Sequence, residues 1–294
     1  MSKCIGCGIK LQNEFKNNLG YTNDLKNKYC ARCFKTIHYN EEIKVNNIDN
    51  LKTIDKINKL GHFTIFITDL LNINKELIEI FKSINNKKVL VINKCDIIPD
   101  NLKLEHIESN IATSFNIKEE IFFISAKKSM YLNRIIKLIE EYEEVIFCGE
   151  TSSGKSTLIN KLLNSNLTTS KYSNTTLSFI KLPYLNYTIY DTPGLMLKEK
   201  NINEDFYIFT KQLNEEFVLN IDGLLINTNG NITVYTNHKN ISSKKLKEKL
   251  DYEYHILANS DIEIDNGFIF IKNPCTINSN RELIIRKSII GKSN

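Results

Sequence analysis

The chain has 294 residues, of which 41% are hydrophobic and 25% are charged, with a formal net charge of +5. This length accommodates one domain of ordinary size with one or two small modules, and the apolar content is sufficient for a buried core. The sequence contains no run of 18 apolar residues, no apolar signal region and no Arg/Ser-rich transit stretch. We therefore expect a cytoplasmic protein rather than a secreted or membrane-spanning one.

The positive charge is concentrated near the N-terminus. Residues 1–45 contain eight Lys or Arg and four Asp or Glu, residues 46–205 contain 20 of each, and residues 206–294 contain eleven and ten. A solvated basic face accounts for an excess of this size as well as a phosphate-binding patch does. The charge alone therefore supports nucleic-acid binding only weakly.

Two Cys-x-x-Cys pairs stand out in residues 1–45, namely Cys4 with Cys7 and Cys30 with Cys33. Four thiolates in two close pairs match a structural tetrahedral Zn²⁺ site, and so short a segment cannot build a sufficient core without a metal. Two disulfide bonds are the alternative, but the lack of a secretion signal argues against them. We predict a zinc module over residues 1–45, in which four sulfur ligands leave no position for water.

The same module contains basic and aromatic side chains that a metal-stabilised turn would present. These are Lys28, Tyr29, Arg32, Phe34, Lys35, His38 and Tyr39. Rings that stack on bases and cations that meet phosphates suit RNA. Packing against a neighbouring domain explains the aromatic residues equally well, so both interpretations stay open.

Residues 46–205 alternate between strand and helix patterns. Short apolar runs rich in β-branched residues predict strands at 63–68, 88–92, 121–124 and 145–148, with two more near 177–190. The stretches between them predict helices at 74–84, 102–114, 130–142 and 155–164. This alternation implies an α/β domain, in which a mostly parallel sheet has helices on both faces.

Each of four motifs directly follows one of these strands, at the strand end where parallel sheets bind ligands. In chain order they are Asn93-Lys94-Cys95-Asp96, Ser125-Ala126-Lys127, the G-x-x-x-x-G-K-S run from Gly149 to Ser156, and Asp191-Thr192-Pro193-Gly194. A single motif of this kind also occurs in proteins that do not bind a nucleotide. The four together predict a site for GTP or GDP with Mg²⁺.

The run from Gly149 to Ser156 predicts a phosphate loop, whose backbone N–H groups surround phosphates at a helix N-terminus. Gly149 and Gly154 allow the close approach. Lys155 is expected to reach the β- and γ-phosphates and Ser156 to ligate Mg²⁺. Further phosphate contacts are assigned to Thr151, Ser152, Ser153 and Thr157.

Asp96 predicts preference for guanine, because its carboxylate can accept hydrogen bonds from the ring N–H and the exocyclic amine. Two charge-assisted bonds of about 1.5–3 kcal/mol each give discrimination on the order of 10²–10⁴ over adenine. We expect Asn93 to join this loop to the phosphate loop, the Lys94 stem to lie over the base, and Ala126 to donate a backbone N–H to the base oxygen. Ser125 and Lys127 complete the predicted guanine-binding set.

Asp191 is expected to hold Mg²⁺ through water, and the Gly194 N–H to meet the γ-phosphate. A threonine between 168 and 176 should complete the magnesium shell; we choose Thr176, with Thr175 as the alternative. The predicted catalytic residues are therefore Lys155, Thr176 and Gly194. Leu195 stands where many GTPases carry a water-orienting glutamine, so hydrolysis without an activator should proceed at about 10⁻⁴–10⁻³ s⁻¹.

The order of the motifs is rotated. An ordinary GTPase runs phosphate loop, D-x-x-G, N-K-x-D, S-A-K, whereas here the last two come first. In the ordinary order, the helix at 130–142 and the strand at 145 are the last and the first elements of the domain. A connection of two or three residues would join them here and keep the core intact. We infer a circularly permuted P-loop GTPase. We expect the segment after D-x-x-G to transmit the nucleotide state to residues 206–294.

These motifs together resemble the YqeH family of circularly permuted GTPases over most of the chain. The distinctive residues are Cys4-x-x-Cys7-Gly8, Cys30-Ala31-Arg32-Cys33-Phe34 and His38-Tyr39-Asn40, followed by the permuted motifs. The resemblance implies GTP and GDP binding, an rRNA or small ribosomal subunit precursor as partner, and a C-terminal domain used for recognition. The predicted domains are the zinc module at 1–45, the GTPase domain at 46–205 and the recognition domain at 206–294.

Two positions depart from the family. Members often carry Asn, which can help bind K⁺, two residues before the second loop glycine, but this chain has Ser152. The resemblance therefore does not carry potassium over to this chain. The usual Pro-Gly before Thr-Thr is replaced by Ser173-Asn174, which weakens the choice between Thr175 and Thr176.

The C-terminal segment is predicted to be small and β-rich. Alternating stretches at 230–235 and 267–271 predict strands, and a helix is predicted near 242–250. Arg281, Arg286 and Lys287 could face RNA or form a solvated strand face.

The sequence as a whole predicts a monomeric GTPase switch in small-subunit assembly. An RNA-binding scaffold with a structural nucleotide site, and a GTPase that regulates a protein partner, are the alternatives. The absence of amphipathic or lipidation signals disfavours a membrane partner.

Overall fold

The computed structural model describes residues 2–16, 18–39, 49–98, 102–163, 178–197, 207–213, 216–238, 240–245 and 249–291. Thr175, Thr176 and the segment at 198–206 after D-x-x-G lie outside these residues. The chain divides into two compact units, each discontinuous in sequence. The first comprises Met1–Asp69, Glu76–Asp96 and Glu119–Ile202, and the second Leu70–Lys75, Ile97–Lys118 and Asn203–Asn294.

The described residues form α-helices and β-strands, numbered in chain order. The helices are α1 (Ala31–Tyr39), α2 (Asn50–Leu60), α3 (Lys75–Ser83), α4 (Leu104–Phe115), α5 (Asn133–Tyr142) and α6 (Lys155–Leu163). The strands are β1 (Phe63–Asp69), β2 (Lys88–Asn93), β3 (Ile121–Phe123), β4 (Glu144–Gly149), β5 (Ile180–Tyr184), β6 (Tyr187–Asp191), β7 (Tyr207–Gln212), β8 (Phe217–Ile221), β9 (Leu224–Thr228), β10 (Asn231–Thr236), β11 (Ile241–Lys245), β12 (Tyr252–Ile256), β13 (Ser260–Ile264), β14 (Gly267–Ile271), β15 (Cys275–Ser279) and β16 (Ile285–Lys287).

The first unit is built on a six-stranded sheet with the order β3-β2-β1-β4-β6-β5. All neighbouring strands are parallel except β5 and β6. Successive side chains of a strand point to opposite faces of the sheet. On one face Ile65 and Ile67 share a core with Ile135 of α5, and on the other Phe66 contacts Phe81 of α3 with ring centroids 5.5 Å apart. The predicted α/β architecture is confirmed.

The connection at which the permutation joins the two ends of the domain is very short. Helix α5 ends at Tyr142, and β4 begins at Glu144. The single intervening residue, Glu143, has a φ of +58° and donates its backbone N–H to the carbonyl of Ile139. Helix α5 therefore passes into the phosphate-loop strand without adding a loop.

The second unit contains two antiparallel sheets, with the orders β16-β13-β14-β10-β7 and β11-β8-β9-β15-β12. One apolar cluster includes Val234 and Ile269 from the first sheet and Ile226 and Ile277 from the second. Burying these side chains gives the unit its own core. The predicted β-rich C-terminal part is confirmed, and the strands predicted at 230–235 and 267–271 are β10 and β14, which pair with each other.

The second unit also includes α4, a helix that lies far from it in sequence. Asn110 of α4 is buried and donates from Nδ2 to the carbonyl oxygen of Gly291 at 2.8 Å. The ring of Phe115 lies 5.2 Å from the guanidinium of Arg286. Helix α4 therefore packs with the C-terminal strands.

The helix predicted near 242–250 is wrong for the residues that the structure describes. Ile241–Lys245 forms β11 at the edge of the second sheet, antiparallel to β8. The lysine-rich composition favours a helix only slightly. Pairing with β8 satisfies the backbone groups and places half-buried Ile241 against the core cluster, so tertiary contacts override the local preference.

Both interpretations of Arg286 are wrong as well. Its side chain is only 7% exposed, and its Nη1 lies 2.8 Å from Glu263 Oε1. Its Nε lies 3.7 Å from Asp261 Oδ2. Arg286 therefore neutralises two carboxylates inside the second unit, whereas Arg281 and Lys287 are exposed.

Candidate nucleotide site and cysteine cluster

The four sequence motifs lie at one edge of the six-stranded sheet. The N-K-x-D, S-A-K and D-x-x-G motifs follow β2, β3 and β6, and the phosphate loop lies between β4 and α6. Because these strands are parallel, their carboxyl ends meet at the same edge. The topology thus brings together groups that are almost 100 residues apart in the chain.

Asn93 connects three motifs through its buried side chain. Its Nδ2 donates to the carbonyl oxygen of Ser153 at 2.8 Å, and its Oδ1 accepts from the backbone N–H of Ala126 at 2.9 Å. Gly154 has a φ of +88°, and a Cβ there would lie 2.2 Å from Asn93 Nδ2. A glycine is therefore required for the two loops to approach this closely.

Asp96 is oriented by the S-A-K motif. The Ser125 hydroxyl donates to Asp96 Oδ1 at 2.6 Å and accepts from the backbone N–H of Lys128 at 3.0 Å. These contacts occupy one side of the carboxylate, and the half-buried side chain retains acceptor capacity for a ligand. Lys127 is exposed at the same loop.

Lys94 contacts an acidic residue that the motif search missed. Its Nζ lies 2.7 Å from Oδ2 of Asp69, the last residue of β1. An acidic residue that closes an otherwise apolar strand is the sequence signal that could have revealed Asp69. The register of the sheet, which places Asp69 beside Asn93, was not available from the sequence.

The phosphate loop begins where β4 lies closest to β1. Gly149 has a φ of +155°, and a Cβ there would lie 2.1 Å from the Ile67 carbonyl oxygen. Helix α6 begins at Lys155, so the loop precedes a helix N-terminus, where backbone N–H groups and the dipole favour phosphate. Thr151, Ser152, Ser156 and Thr157 are partly exposed around it, and Ser153 is buried.

Lys155 and Asp191 contact each other at this edge of the sheet. Both side chains are buried, and Lys155 Nζ forms an ion pair with Asp191 Oδ1 and donates to the carbonyl oxygen of Thr192 at 2.6 Å. The Lys155 ammonium, expected at the β- and γ-phosphates, and the Asp191 carboxylate, expected at Mg²⁺, thus lie at the same point of the sheet edge. The carboxylate of Asp191 and the hydroxyl of Ser156 are oxygen donors of the kind that Mg²⁺ prefers.

The D-x-x-G loop is joined to the phosphate loop by its backbone. The Leu195 N–H donates to the Gly149 carbonyl at 2.9 Å, and the Leu195 carbonyl accepts from the Thr151 N–H at 3.0 Å. The apolar Leu195 side chain is fully buried and cannot orient a water molecule. Asn50 of α2, which sequence reasoning missed, exchanges two hydrogen bonds with the backbone of Met196.

Cys95 lies within the N-K-x-D motif and Cys148 directly precedes the phosphate loop, and both are buried and inert. Burial raises the pKa of Cys95 to about 11 and that of Cys148 to about 12. Both therefore stay as thiols near neutral pH, whereas a reactive cysteine requires the thiolate.

The four N-terminal cysteines form one buried cluster. The Sγ atoms of Cys4, Cys7, Cys30 and Cys33 all lie within 4.8 Å of one another, and those of Cys7 and Cys30 are 3.8 Å apart. A tetrahedral site with Zn–S bonds of about 2.3 Å separates its sulfurs by about 3.8 Å. The cluster therefore fits a zinc knuckle.

Mutual hydrogen bonds shift the pKa values of the four cysteines in opposite directions. A hydrogen bond from Cys30 lowers the pKa of Cys4, and one from Cys33 lowers the pKa of Cys30. Hydrogen bonding with Cys30 raises the pKa of Cys7 and of Cys33. Four thiolates at this spacing need a divalent cation to offset their repulsion and desolvation.

The basic and aromatic residues of this module separate into two groups. Tyr29 packs against the cysteine cluster, and Arg32 donates from Nη2 to Cys33 Sγ at 3.9 Å. The others are exposed, namely Lys28, Phe34, Lys35, His38 and Tyr39. The module also contacts the sheet, because the Ser178 N–H, just before β5, donates to the Cys7 carbonyl at 3.1 Å.

The family follows from a comparison with known proteins. The family model described as RsgA GTPase matches residues 36–200, which is more than half of the chain. The chain belongs to the RsgA GTPase family. Its fold is that of a circularly permuted P-loop GTPase, and the predicted kinship with permuted GTPases is confirmed. A second model, described as 50S ribosome-binding GTPase, matches residues 144–260.

Individual relatives of this RsgA GTPase family member are similar to it in sequence over part of the chain. The uncharacterized protein YqeH of Bacillus subtilis (strain 168) is 32% identical over 215 residues, which are 66% of this chain and 59% of YqeH. The small ribosomal subunit biogenesis GTPase RsgA of Clostridium beijerinckii is 36% identical over 106 residues, or 35% of each chain. The chain thus spans less than two thirds of these curated relatives.

The fold also has a weak likeness among solved structures. The crystal structure of YjeQ from Thermotoga maritima aligns with 45% of this chain and 48% of its own, with a TM-score of 0.36 and 21% identity. In the part of the chain that the structure describes, no helix combines the length and apolarity needed to cross a bilayer.

Proposed function

We propose that this protein binds GTP and GDP with Mg²⁺ and hydrolyses GTP slowly in the absence of an activator. The hydrogen bond from Asn93 Nδ2 to the Ser153 carbonyl at 2.8 Å carries this proposal, because it joins the guanine loop to the phosphate loop. A base held at Asp96 and phosphates held at Lys155 can then belong to one nucleotide. Gly194 and a threonine at 176 or 175 would complete the γ-phosphate and magnesium contacts.

Equilibrium binding with fluorescent nucleotides tests this proposal. We expect GTP and GDP to bind at least about 100-fold more tightly than ATP and ADP, since Asp96 offers two charge-assisted acceptors. Because Leu195 replaces the water-orienting residue, turnover of the isolated protein should stay at about 10⁻⁴–10⁻³ s⁻¹. Equal affinity for ATP, or unaided turnover well above one per second, would contradict the proposal.

The proposed biological role is ribosome assembly, acting on small-subunit precursors through rRNA in the cytoplasm. It is supported by the family and by the similarity to the small ribosomal subunit biogenesis GTPase RsgA of Clostridium beijerinckii. The exposed Lys28, Phe34, Lys35 and Tyr39 provide cations and rings of the kind that bind RNA. We propose that residues 1–45 and 206–294 make these contacts and that residues 46–205 control them.

Such a switch requires a nucleotide-dependent affinity for RNA. The nucleotide can shift the equilibrium only if the GTP and GDP states bind RNA with different strength. Binding of small-subunit rRNA should therefore differ between a GTP analogue and GDP, and small-subunit particles should stimulate hydrolysis. Equal affinity in both states would contradict the switch.

A second candidate function is an RNA-binding scaffold whose nucleotide site serves stability. The buried Leu195 favours it, because nothing at that position can orient the attacking water. If the protein is such a scaffold, nucleotide should raise the melting temperature without changing the affinity for RNA, and ribosomal particles should leave the hydrolysis rate unchanged.

We also propose that the cysteine cluster holds one structural Zn²⁺. The sulfur spacing supports it, and four buried thiolates this close together require a cation to offset their charge. Elemental analysis should find one zinc per chain. A strong chelator should remove it and unfold the module, because the metal supplies the folding free energy of so small a segment. A metal-free module that keeps its fold would contradict this proposal.

A further inference from the structure

Asp69 is a buried carboxylate at the nucleotide edge of the sheet. It ends β1 and lies opposite Asn93 in the parallel register of β1 with β2. Its side chain is only 4% exposed. Burying a carboxylate this deeply is unfavourable unless a cation or several hydrogen bonds compensate for the lost hydration. Packing of the strand end alone would not require a charged residue at position 69.

Lys94 supplies the compensating cation. Its Nζ lies 2.7 Å from Asp69 Oδ2, and its backbone has a φ of +61°, in the left-handed region that few residues other than glycine adopt. The ion pair and the backbone conformation together fix the direction of the side chain. Even so, the Lys94 side chain stays 40% exposed. With the ammonium directed to Asp69, the methylene stem is the part of the side chain left to pack on a purine ring.

Each of the three polar residues of N-K-x-D thus has its own holding group. Asn93 is held by the phosphate loop and the backbone of the S-A-K motif. Asp96 is held by the Ser125 hydroxyl. We propose that Asp69 is the third such group, a positioning residue that holds the Lys94 stem over the guanine base and so sets nucleotide affinity. This inference rests on the proposed guanine-nucleotide function.

The Asp69→Asn variant separates this role from a purely structural one. Asparagine keeps the size of the side chain and removes its charge, and the variant leaves no unpaired buried ion because Lys94 can reach solvent. We expect the Kd for fluorescent GDP to rise about 5- to 30-fold, which corresponds to a loss of about 1–2 kcal/mol of binding free energy. The kcat at saturating GTP should stay within about twofold, since groups other than Asp69 hold the phosphates and Mg²⁺.

A double-mutant cycle with Lys94→Met tests whether Asp69 acts through Lys94. Methionine keeps an apolar stem and removes the ammonium. When it is added to Asp69→Asn, the Kd should change by no more than about twofold, because the ion pair that holds the stem is already lost. Two additive losses would overturn the inference. So would an Asp69→Asn protein with a lowered melting temperature and an unchanged Kd.

A matched control is available elsewhere in the first unit. Glu119 forms an ion pair with Lys88 at 3.5 Å, away from the motifs. Glu119→Gln should leave the Kd for GDP unchanged, which would show that loss of any ion pair near the sheet is not sufficient. A wild-type protein that does not bind GDP would overturn the proposed function and this inference together. Tight wild-type binding that Asp69→Asn leaves unaltered would overturn this inference alone.

Discussion

Replacing Asp96 with asparagine should change the base that the protein prefers. In the structure Ser125 Oγ donates to Asp96 Oδ1 at 2.6 Å. In Asp96→Asn the same hydroxyl still needs an acceptor, so it should select the amide rotamer with the oxygen toward Ser125. The NH₂ group then faces the ligand. A donor at this place opposes the ring N–H and amine of guanine and suits the 2-oxo group of xanthine.

The magnitude follows from the bonds that are lost. Two charge-assisted hydrogen bonds of about 1.5–3 kcal/mol each amount to a loss on the order of 10²–10⁴ in GTP affinity. The gain with xanthine triphosphate is smaller, because one neutral hydrogen bond contributes about 1 kcal/mol. The variant should therefore bind xanthine triphosphate at least about 10-fold more tightly than GTP.

Competition of unlabelled nucleotides against a fluorescent nucleotide measures both affinities. A second variant, Asp96→Asn with Ser125→Ala, tests the role of the hydroxyl. Without it the amide can turn and present its oxygen to the guanine amine, so part of the GTP affinity should return. If Asp96→Asn keeps the GTP selectivity of the wild type, Asp96 does not read the base. If Ser125→Ala makes no difference in that background, the hydroxyl does not set the rotamer.

Three further predictions concern charges that the fold buries. Lys155→Ala should abolish measurable nucleotide binding while elemental analysis still finds one zinc per chain; loss of the zinc as well would indicate general unfolding. Arg286→Met should lower the free energy of unfolding by about 3–5 kcal/mol in urea titrations, because it removes the guanidinium that faces two buried carboxylates; a loss below about 1 kcal/mol would refute this. Burial raises the pKa of Asp261 to about 6, despite the partly opposing effect of Arg286. The folded-state pKa of Asp261 is above its unfolded value of about 3.9, so the folded state is stabilised relative to high pH when this carboxyl is protonated. That stabilisation is complete below about pH 4 and is lost as the pH rises through about 6. Relative to Asp261→Asn, the wild type should therefore lose about 2 kcal/mol of stability between about pH 4 and pH 7, and parallel pH profiles would contradict the shift.

The family and the α/β fold were predictable because their signals are local. A strand followed at once by N-K-x-D or by a phosphate loop is a continuous stretch of chain, and so is each Cys-x-x-Cys pair. The order of such stretches implied the permutation without any knowledge of three-dimensional contacts. Periodicity likewise indicated β10 and β14, because alternation of side chains is a property of a single strand.

Other features depended on contacts between distant segments. Asp69 and Lys94 meet because β1 and β2 are neighbours in one particular register, and a shift of one residue would turn Asp69 to the other face. Helix α4 follows the guanine loop in sequence but packs with the C-terminal strands. Similarly, β11 is a strand because β8 offers it a hydrogen-bonding edge.

The sequence by itself therefore determined which chemical groups this protein carries and the order of its nucleotide motifs along the chain. Only the tertiary structure decided which of its charges lie inside and what each one contacts, as at Arg286 and Asp69. The physical reason is that burial and ion pairing depend on strand register and packing between segments remote in sequence, which local composition does not encode.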